Sequence, residues 1–369
     1  MSTLACFVSS HGFGHATRAS AVLAALRARR PEVALHGFTE VPASVFTESV
    51  PGGVTLHRAW TDVGVVQRGP FAEDLGATVE ALGAHLPFKA ELLTALAAEV
   101  RATGASAVLC DISPLGIAVA EVAGLPSILL ENFTWDWIYR GYLEREPRLA
   151  RFADLLEGWF AKATVHLQAA PICEVRPGAV ALAPICRRPR LTRAEIRARL
   201  GVGEQQQLVL LTLGGVPWSF AGGDGDGDGK RNGNGSDPAA LGGALLLVPG
   251  REEAQRGAVR WLDSTRWYHP DLVHAVDAVV GKVGYSTLAE VLSAGVPLGY
   301  LPRAGFRESP VLERFITERM PSIAIDPTAL VGGGLRAVLP ELLRLGRVEQ
   351  KREQTSGAER AAEVLLRLL

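Results

Sequence analysis

The sequence is short of basic charge, of cysteine and of long apolar runs, and each shortage excludes a class of function. Its 38 Lys and Arg are matched by 39 Asp and Glu, a formal net charge of −1, so no basic excess is available to hold a phosphate backbone. Nucleic acid is excluded as the expected partner. No apolar run approaches the roughly 18 residues that a membrane-spanning helix needs. The N-terminal stretch lacks a basic leader and runs straight into a strand pattern, which predicts no signal peptide. The four cysteines, Cys6, Cys110, Cys173 and Cys186, form no C-x-x-C pair. Neither a disulfide framework nor a zinc site is expected, and a reduced, cytoplasmic compartment fits.

What is present is length and apolar content. With 369 residues, 48% of them apolar, the chain exceeds one ordinary core, so two domains are expected. In the first half, a strand over Leu4–Ser9 precedes a helix over Ala16–Arg29, with Ala19, Val22, Leu23 and Leu26 on one face. A helix over Leu86–Thr103, a strand over Ala107–Cys110, a helix over Leu115–Ala123 and a strand over Ser127–Leu130 follow. After about Ala183 the pattern restarts, with a helix capped by Thr192, a buried strand over Gln207–Leu213, and further strands over Ala244–Val248 and Ala278–Val280. A helix over Ser286–Ser293 and a last one over Ala358–Leu369 are also expected. Strands alternating with helices predict parallel, doubly wound sheets. The fold class is therefore α/β, with two Rossmann-like domains, 1–185 and 186–369, whose facing edges form a cleft.

One stretch breaks the pattern. Gly222–Asp237 is nearly all Gly, Asp and Asn, and predicts a disordered surface loop spanning about 221–238. Asp224, Asp226 and Asp228 mimic the start of a calcium loop, but Gly235 stands where the closing carboxylate belongs, so no metal site is expected.

Two glycine-bearing turns carry the chemistry. The first is His11-Gly12-Phe13-Gly14-His15, between the first strand and its helix, at the carboxyl end of the sheet where open α/β folds bind ligands. The positive end of the helix disfavours an imidazolium, so His11 or His15 would stay neutral and could accept a proton; the plainer alternative is that one caps and the other packs. The glycine spacing is not the dinucleotide fingerprint G-x-G-x-x-G. Asp111 ends a strand toward the same edge and could orient His11, act as base itself, or merely cap the next helix. The second turn is Gly281-Lys282-Val283-Gly284-Tyr285-Ser286-Thr287, with Glu290 one helical turn on. Ser286 or Thr287 could cap the helix, whose first N–H groups suit a diphosphate, and Glu290 could accept from ribose hydroxyls. It lacks the spacing of a P-loop. Gly214-Gly215, directly after a strand, could be a second phosphate-facing turn. Asn132, Trp135 and Asp136 have the composition of a sugar platform, although apolar packing explains the tryptophan equally well.

These residues together resemble the GT-B glycosyltransferases of the family 28 type. The likeness is closer to a branch that also forms the N-terminal region of plant arabinose kinases. It is carried by His11–Arg18, Asn132–Tyr139 and Gly281–Glu290. The resemblance implies transfer of a sugar from a nucleotide-sugar donor, UDP-linked, to an acceptor that could be a small molecule, glycan or lipid. It implies inversion without metal or other cofactor. The donor would lie near Gly12, Gly14, Gly214, Gly215, Lys282, Gly284, Tyr285, Ser286, Thr287 and Glu290, with Arg307 and Glu308 at the donor sugar. The acceptor would face Asn132, Trp135 and Asp136, and the catalytic set would be His11, His15 and Asp111, with His11 the expected base. Two alternatives remain open at this level: a nucleotide-sugar-binding module without turnover, and a sugar-nucleotide epimerase on the same fold.

Overall fold

The computed structural model describes residues 2–69, 72–212, 243–250, 253–330, 334–350 and 356–369. The Gly222–Asp237 stretch, and with it the calcium-like run, lies outside the described residues. The chain divides into two compact units: Met1–Arg187 with Gly305–Val311 and Arg352–Leu369, and Arg188–Ala304 with Leu312–Lys351. The last helix therefore belongs to the first unit, although the sequence scheme assigns it to the second domain. Its apolar face explains this, because Ala358, Ala361, Ala362 and Leu365 are buried in the first unit's core beside the helix Phe13–Arg29.

The strands of the first unit are β1 (Thr3–Val8), β2 (Ala34–Thr39), β3 (Thr55–Arg58), a short hairpin β4 (Gln67–Gly69) and β5 (Ala72–Glu73), β6 (Ala107–Asp111), β7 (Ser127–Glu131), β8 (Val165–Ala169) and β9 (Val180–Leu182). Apart from the hairpin they form one parallel sheet in the order β3-β2-β1-β6-β7-β8-β9. β1, β6 and β7 are buried along their whole length, as central parallel strands covered on both faces must be. The order reverses between β1 and β6, where Val8 pairs with Asp111. That reversal opens the crevice in which such sheets hold ligands.

The second unit repeats the plan. Its strands are β10 (Leu208–Thr212), β11 (Leu245–Gly250), β12 (Ala254–Arg256), β13 (Val259–Asp263), β14 (Ala278–Lys282), β15 (Leu298–Leu301) and β16 (Ser322–Ala324), in the order β12-β13-β11-β10-β14-β15-β16. All pairings are parallel except β12 with β13. The reversal lies between β10 and β14, where Thr212 pairs with Gly281.

Local chemistry sets the helix ends. Thr192 and Glu195 form a reciprocal capping box at Arg193–Arg199, as the sequence pattern requires. The helix Pro114–Ala123 is capped by Ser113, whose hydroxyl accepts from the Gly116 N–H, and it stops at Gly124 in the left-handed region. The helix after β1 begins at Phe13, a turn earlier than its apolar spacing predicts, because Gly12 turns the chain at φ 77°. The helix expected from Leu86 begins only at Ala90. Pro87 cannot donate to a helical bond and disfavours helical dihedrals at the residue before it.

Candidate functional site

At the reversal of the first sheet, β1 delivers Ser9 and the His11 turn, and β6 delivers Asp111. Asp111 is fully buried, and the Arg18 guanidinium grips both its oxygens, Nε to Oδ2 at 2.9 Å and Nη2 to Oδ1 at 2.5 Å. His15 Nδ1 lies 3.2 Å from Asp111 Oδ1. Burial alone would raise the Asp111 carboxyl, but the charge of Arg18 and the bonds from His15 and Arg18 hold it below the usual carboxylate range. Asp111 therefore stays ionised and is not itself poised to take a proton. Burial pushes His15 the other way, below its ordinary value, against the opposing pull of Asp111. The same Nδ1 lies 3.3 Å from Arg18 Nη2; the neutral tautomer that directs Nδ1–H to Asp111 presents the Nε2 lone pair as acceptor. Among the described residues no hydrogen bond engages that Nε2. The backbone beside Asp111 is strained, since Ile112 adopts φ 50°, a region that a β-branched residue rarely occupies.

The structure thus gives the carboxylate to His15, not to His11, and gives the cap of the following helix to Ser113, not to Asp111. His11 has a different setting. Its Nε2 is 3.3 Å from the Gln67 side-chain amide, and its ring meets the Trp135 ring edge-on at 5.2 Å. Gly64, at φ 65°, leaves room for it, because a Cβ there would come within 2.3 Å of the imidazole. Gly12 and Gly14 flank the start of the helix, and no side-chain cap occupies its first turn.

The three acceptor-side residues separate by role. Asn132 is buried as a bracket: its amide donates to the Ala169 carbonyl at 2.5 Å and its oxygen accepts from Arg18. Asp136 is buried and pairs with Arg176 at 3.0 Å. Trp135 lies against both histidine rings, 5.9 Å from His15, and its indole N–H donates to Asp62 at 3.0 Å. Asp62 is the residue that sequence reasoning misses. It is buried, it also accepts from the Ser9 hydroxyl at 2.9 Å, and burial pushes its carboxyl up to about 7 despite those two bonds. It sits in a segment after β3 with neither helical nor strand periodicity, so no pattern flags it.

In the second unit, β14 ends at Lys282, and Gly284 begins the helix Tyr285–Ala294 with no side-chain cap. Ser286 and Thr287 therefore lie inside the first turn and do not cap it. Burial, with Arg303 nearby, lowers the Lys282 amine to about 8. Glu290 is buried, and its Oε2 lies 2.6 Å from His269 Nδ1. Gly214 and Gly215 lie outside the described residues. Arg307 and Glu308 belong to the first unit. There the Arg307 guanidinium stacks 4.2 Å from the centre of the Trp137 ring and donates to the Trp137 carbonyl. Among the described residues no group of three or more His, Cys, Asp or Glu side chains could hold a metal ion, and no helix is long and apolar enough to cross a membrane.

With this geometry in place, the chain can be set beside known proteins. It superposes on the solved spinosyn forosaminyltransferase SpnP with a TM-score of 0.58, at 17% identity, over 100% of this chain and 95% of that one. It superposes on a UDP-glucosyltransferase from Polygonum tinctorium with a TM-score of 0.60, at 13% identity, over 100% of this chain and 98% of that one. The chain has the GT-B fold. In sequence it is similar to L-arabinokinase of Arabidopsis thaliana, 29% identical over 332 residues, which is 85% of this chain and 29% of the kinase. The chain therefore spans less than a third of that relative. No family model matches it.

Proposed function

We propose that this GT-B chain is a glycosyltransferase that moves a sugar from a UDP-linked donor to an acceptor hydroxyl, with inversion and without a metal ion. The observation that carries the reading is the His15–Asp111 pair at the reversal of the first sheet, 3.2 Å apart and braced by Arg18. A buried carboxylate that fixes one imidazole tautomer is the arrangement a general base needs. Asp111 pairs with His15, which is therefore taken as the base, with His11 in the same turn. The acceptor O–H gives its proton to His15 Nε2, and the oxygen attacks the anomeric carbon. The bond to the diphosphate breaks, and its electron pair leaves with the diphosphate.

The second unit supplies what the leaving group needs. The helix Tyr285–Ala294, entered through Gly284, directs its positive end toward the strand end. Lys282 adds a cation at the same strand end, and Glu290, steadied by His269, accepts from the ribose hydroxyls. The names of the superposing proteins, one of them a UDP-glucosyltransferase, support this assignment.

The test is a product assay by mass spectrometry over a panel of nucleotide-sugars and hydroxyl acceptors, with and without EDTA. Glycosylated product from a UDP-sugar, undiminished by EDTA, is the expected result. Nucleotide-sugar binding without product would make the chain a binding module. An epimerised donor would make it an epimerase. ADP released from ATP with L-arabinose would point instead to a kinase.

A further inference from the structure

Among the buried carboxyls of the first unit that the glycosyl-transfer reading leaves unused, Asp62 is bonded to residues beside the histidine turn. Asp62 has both oxygens committed to groups from different parts of the site, Oδ1 to the Ser9 hydroxyl at 2.9 Å and Oδ2 to the Trp135 indole N–H at 3.0 Å. The Ser9 oxygen in turn accepts the backbone N–H of His11 at 3.2 Å. A continuous chain of hydrogen bonds therefore runs from the Trp135 ring, through Asp62 and Ser9, to the start of the His11 turn. The segment carrying Asp62 is itself anchored. Thr61 donates to the Val8 carbonyl at 3.0 Å, and Tyr139 donates to the Gly64 carbonyl at 2.8 Å. Burying a carboxyl is costly unless its acceptors are used, and here both are used on residues that border the imidazoles.

We propose that Asp62 is a positioning residue of the acceptor side, clamping the Trp135 indole and the Ser9 hydroxyl so that the tryptophan and the His11 turn keep one geometry toward the substrate. This rests on the glycosyl-transfer reading for its consequence, but not for its structural content. Both Asp62 oxygens are bonded to Ser9 and Trp135, and it acts through those two residues. Displacing such groups by a fraction of an ångström lowers turnover without removing the base.

The experiment compares Asp62→Leu, Asp62→Asn and Ser9→Ala. Leucine removes both acceptors, asparagine keeps shape and one acceptor oxygen, and Ser9→Ala cuts the link to His11 if the leucine variant fails to fold. The expected result for Asp62→Leu is a fall in turnover between about tenfold and a hundredfold. The acceptor KM should rise and the donor KM should hold, while Asp62→Asn recovers most of the loss. Independently of activity, the side-chain NMR resonances of His11 in the ligand-free protein should shift in Asp62→Leu and Ser9→Ala, because the ring-current field of Trp135 moves. Unmoved His11 resonances in both variants would overturn the clamp. A parent protein that transfers no sugar, but whose His11 resonances shift in these variants, would overturn the functional reading and leave the clamp standing.

Discussion

The two sheets end in switch points of the same topology but different construction. In the first unit the groups at the strand ends are side chains locked into one another, with Arg18, Asp111, His15 and Asn132 all buried. In the second, the described part of the switch point is built from an uncapped helix end, a half-buried amine and one carboxylate–imidazole pair. On the proposed function, the first arrangement holds a proton acceptor against a buried carboxylate, and the second offers helix dipoles and a cation to an anionic leaving group. Preorganisation is expensive in the first case and cheap in the second, and that difference can be measured.

The largest effect is expected at Arg18. Arg18→Met keeps much of the aliphatic volume but leaves Asp111 ionised, buried and ungripped, and should destabilise the protein by about 3–5 kcal/mol in urea denaturation. Lys282→Met in the second unit should do the reverse in the ligand-free protein. It removes a partly desolvated cation at little cost to stability, yet it should weaken UDP binding by calorimetry. Equal losses of stability in the two variants would erase the distinction between the sites.

How much of this was legible beforehand follows the same division. Short continuous apolar runs locate β1, β6, β7, β10 and β14, because parallel strands covered on both faces are apolar along their length. The His11–His15 turn and the Gly284 turn are visible as glycines between a strand and a helix. What spacing cannot show is which histidine a distant carboxylate chooses, since His15 and Asp111 are brought together only by the pairing of Val8 with Asp111. Arg18 reads as a polar residue of a helix, and its burial over Asp111 comes from the third dimension. Asp62 lies in an irregular segment and carries no signal at all. Arg307 and the last helix show the limit of cutting a chain by order, because both return to the first unit.

A smaller effect is expected at Glu290. Glu290→Gln removes a charged acceptor and should weaken UDP binding by about 1.5–3 kcal/mol while the fold is kept. Unchanged affinity would leave Glu290 with a structural role, as partner of His269. Gly64→Ala should cost about 1–3 kcal/mol in thermal unfolding, because alanine is strained at φ 65° and its Cβ would strike His11. A neutral outcome there would show that the His11 ring is free to move aside.

The smallest change is a slope against pH. Asp62 is raised to about 7 when folded, so its contribution to stability is complete below the ordinary carboxylate range and is lost as pH rises through about 7. Asp111 is lowered, so its contribution is present above that range and is lost only in acid. From the ordinary carboxylate range up to about pH 7 Asp62 tilts the curve downward, against the upward tilt of the lowered histidines His15, His36, His85 and His274, and Asp62→Asn should remove the downward part. A curve of unchanged slope in the variant would mean that Asp62 is ionised throughout.

The central claim is that the carboxylate-held histidine is the base. The direct measurement is turnover and UDP affinity for His15→Ala and His11→Ala, side by side, in the assay that detects transfer. The account predicts that His15→Ala loses about a hundredfold or more in turnover with UDP affinity intact, and that His11→Ala loses distinctly less. A His11→Ala variant without turnover, beside a His15→Ala variant near the parent rate, would contradict it.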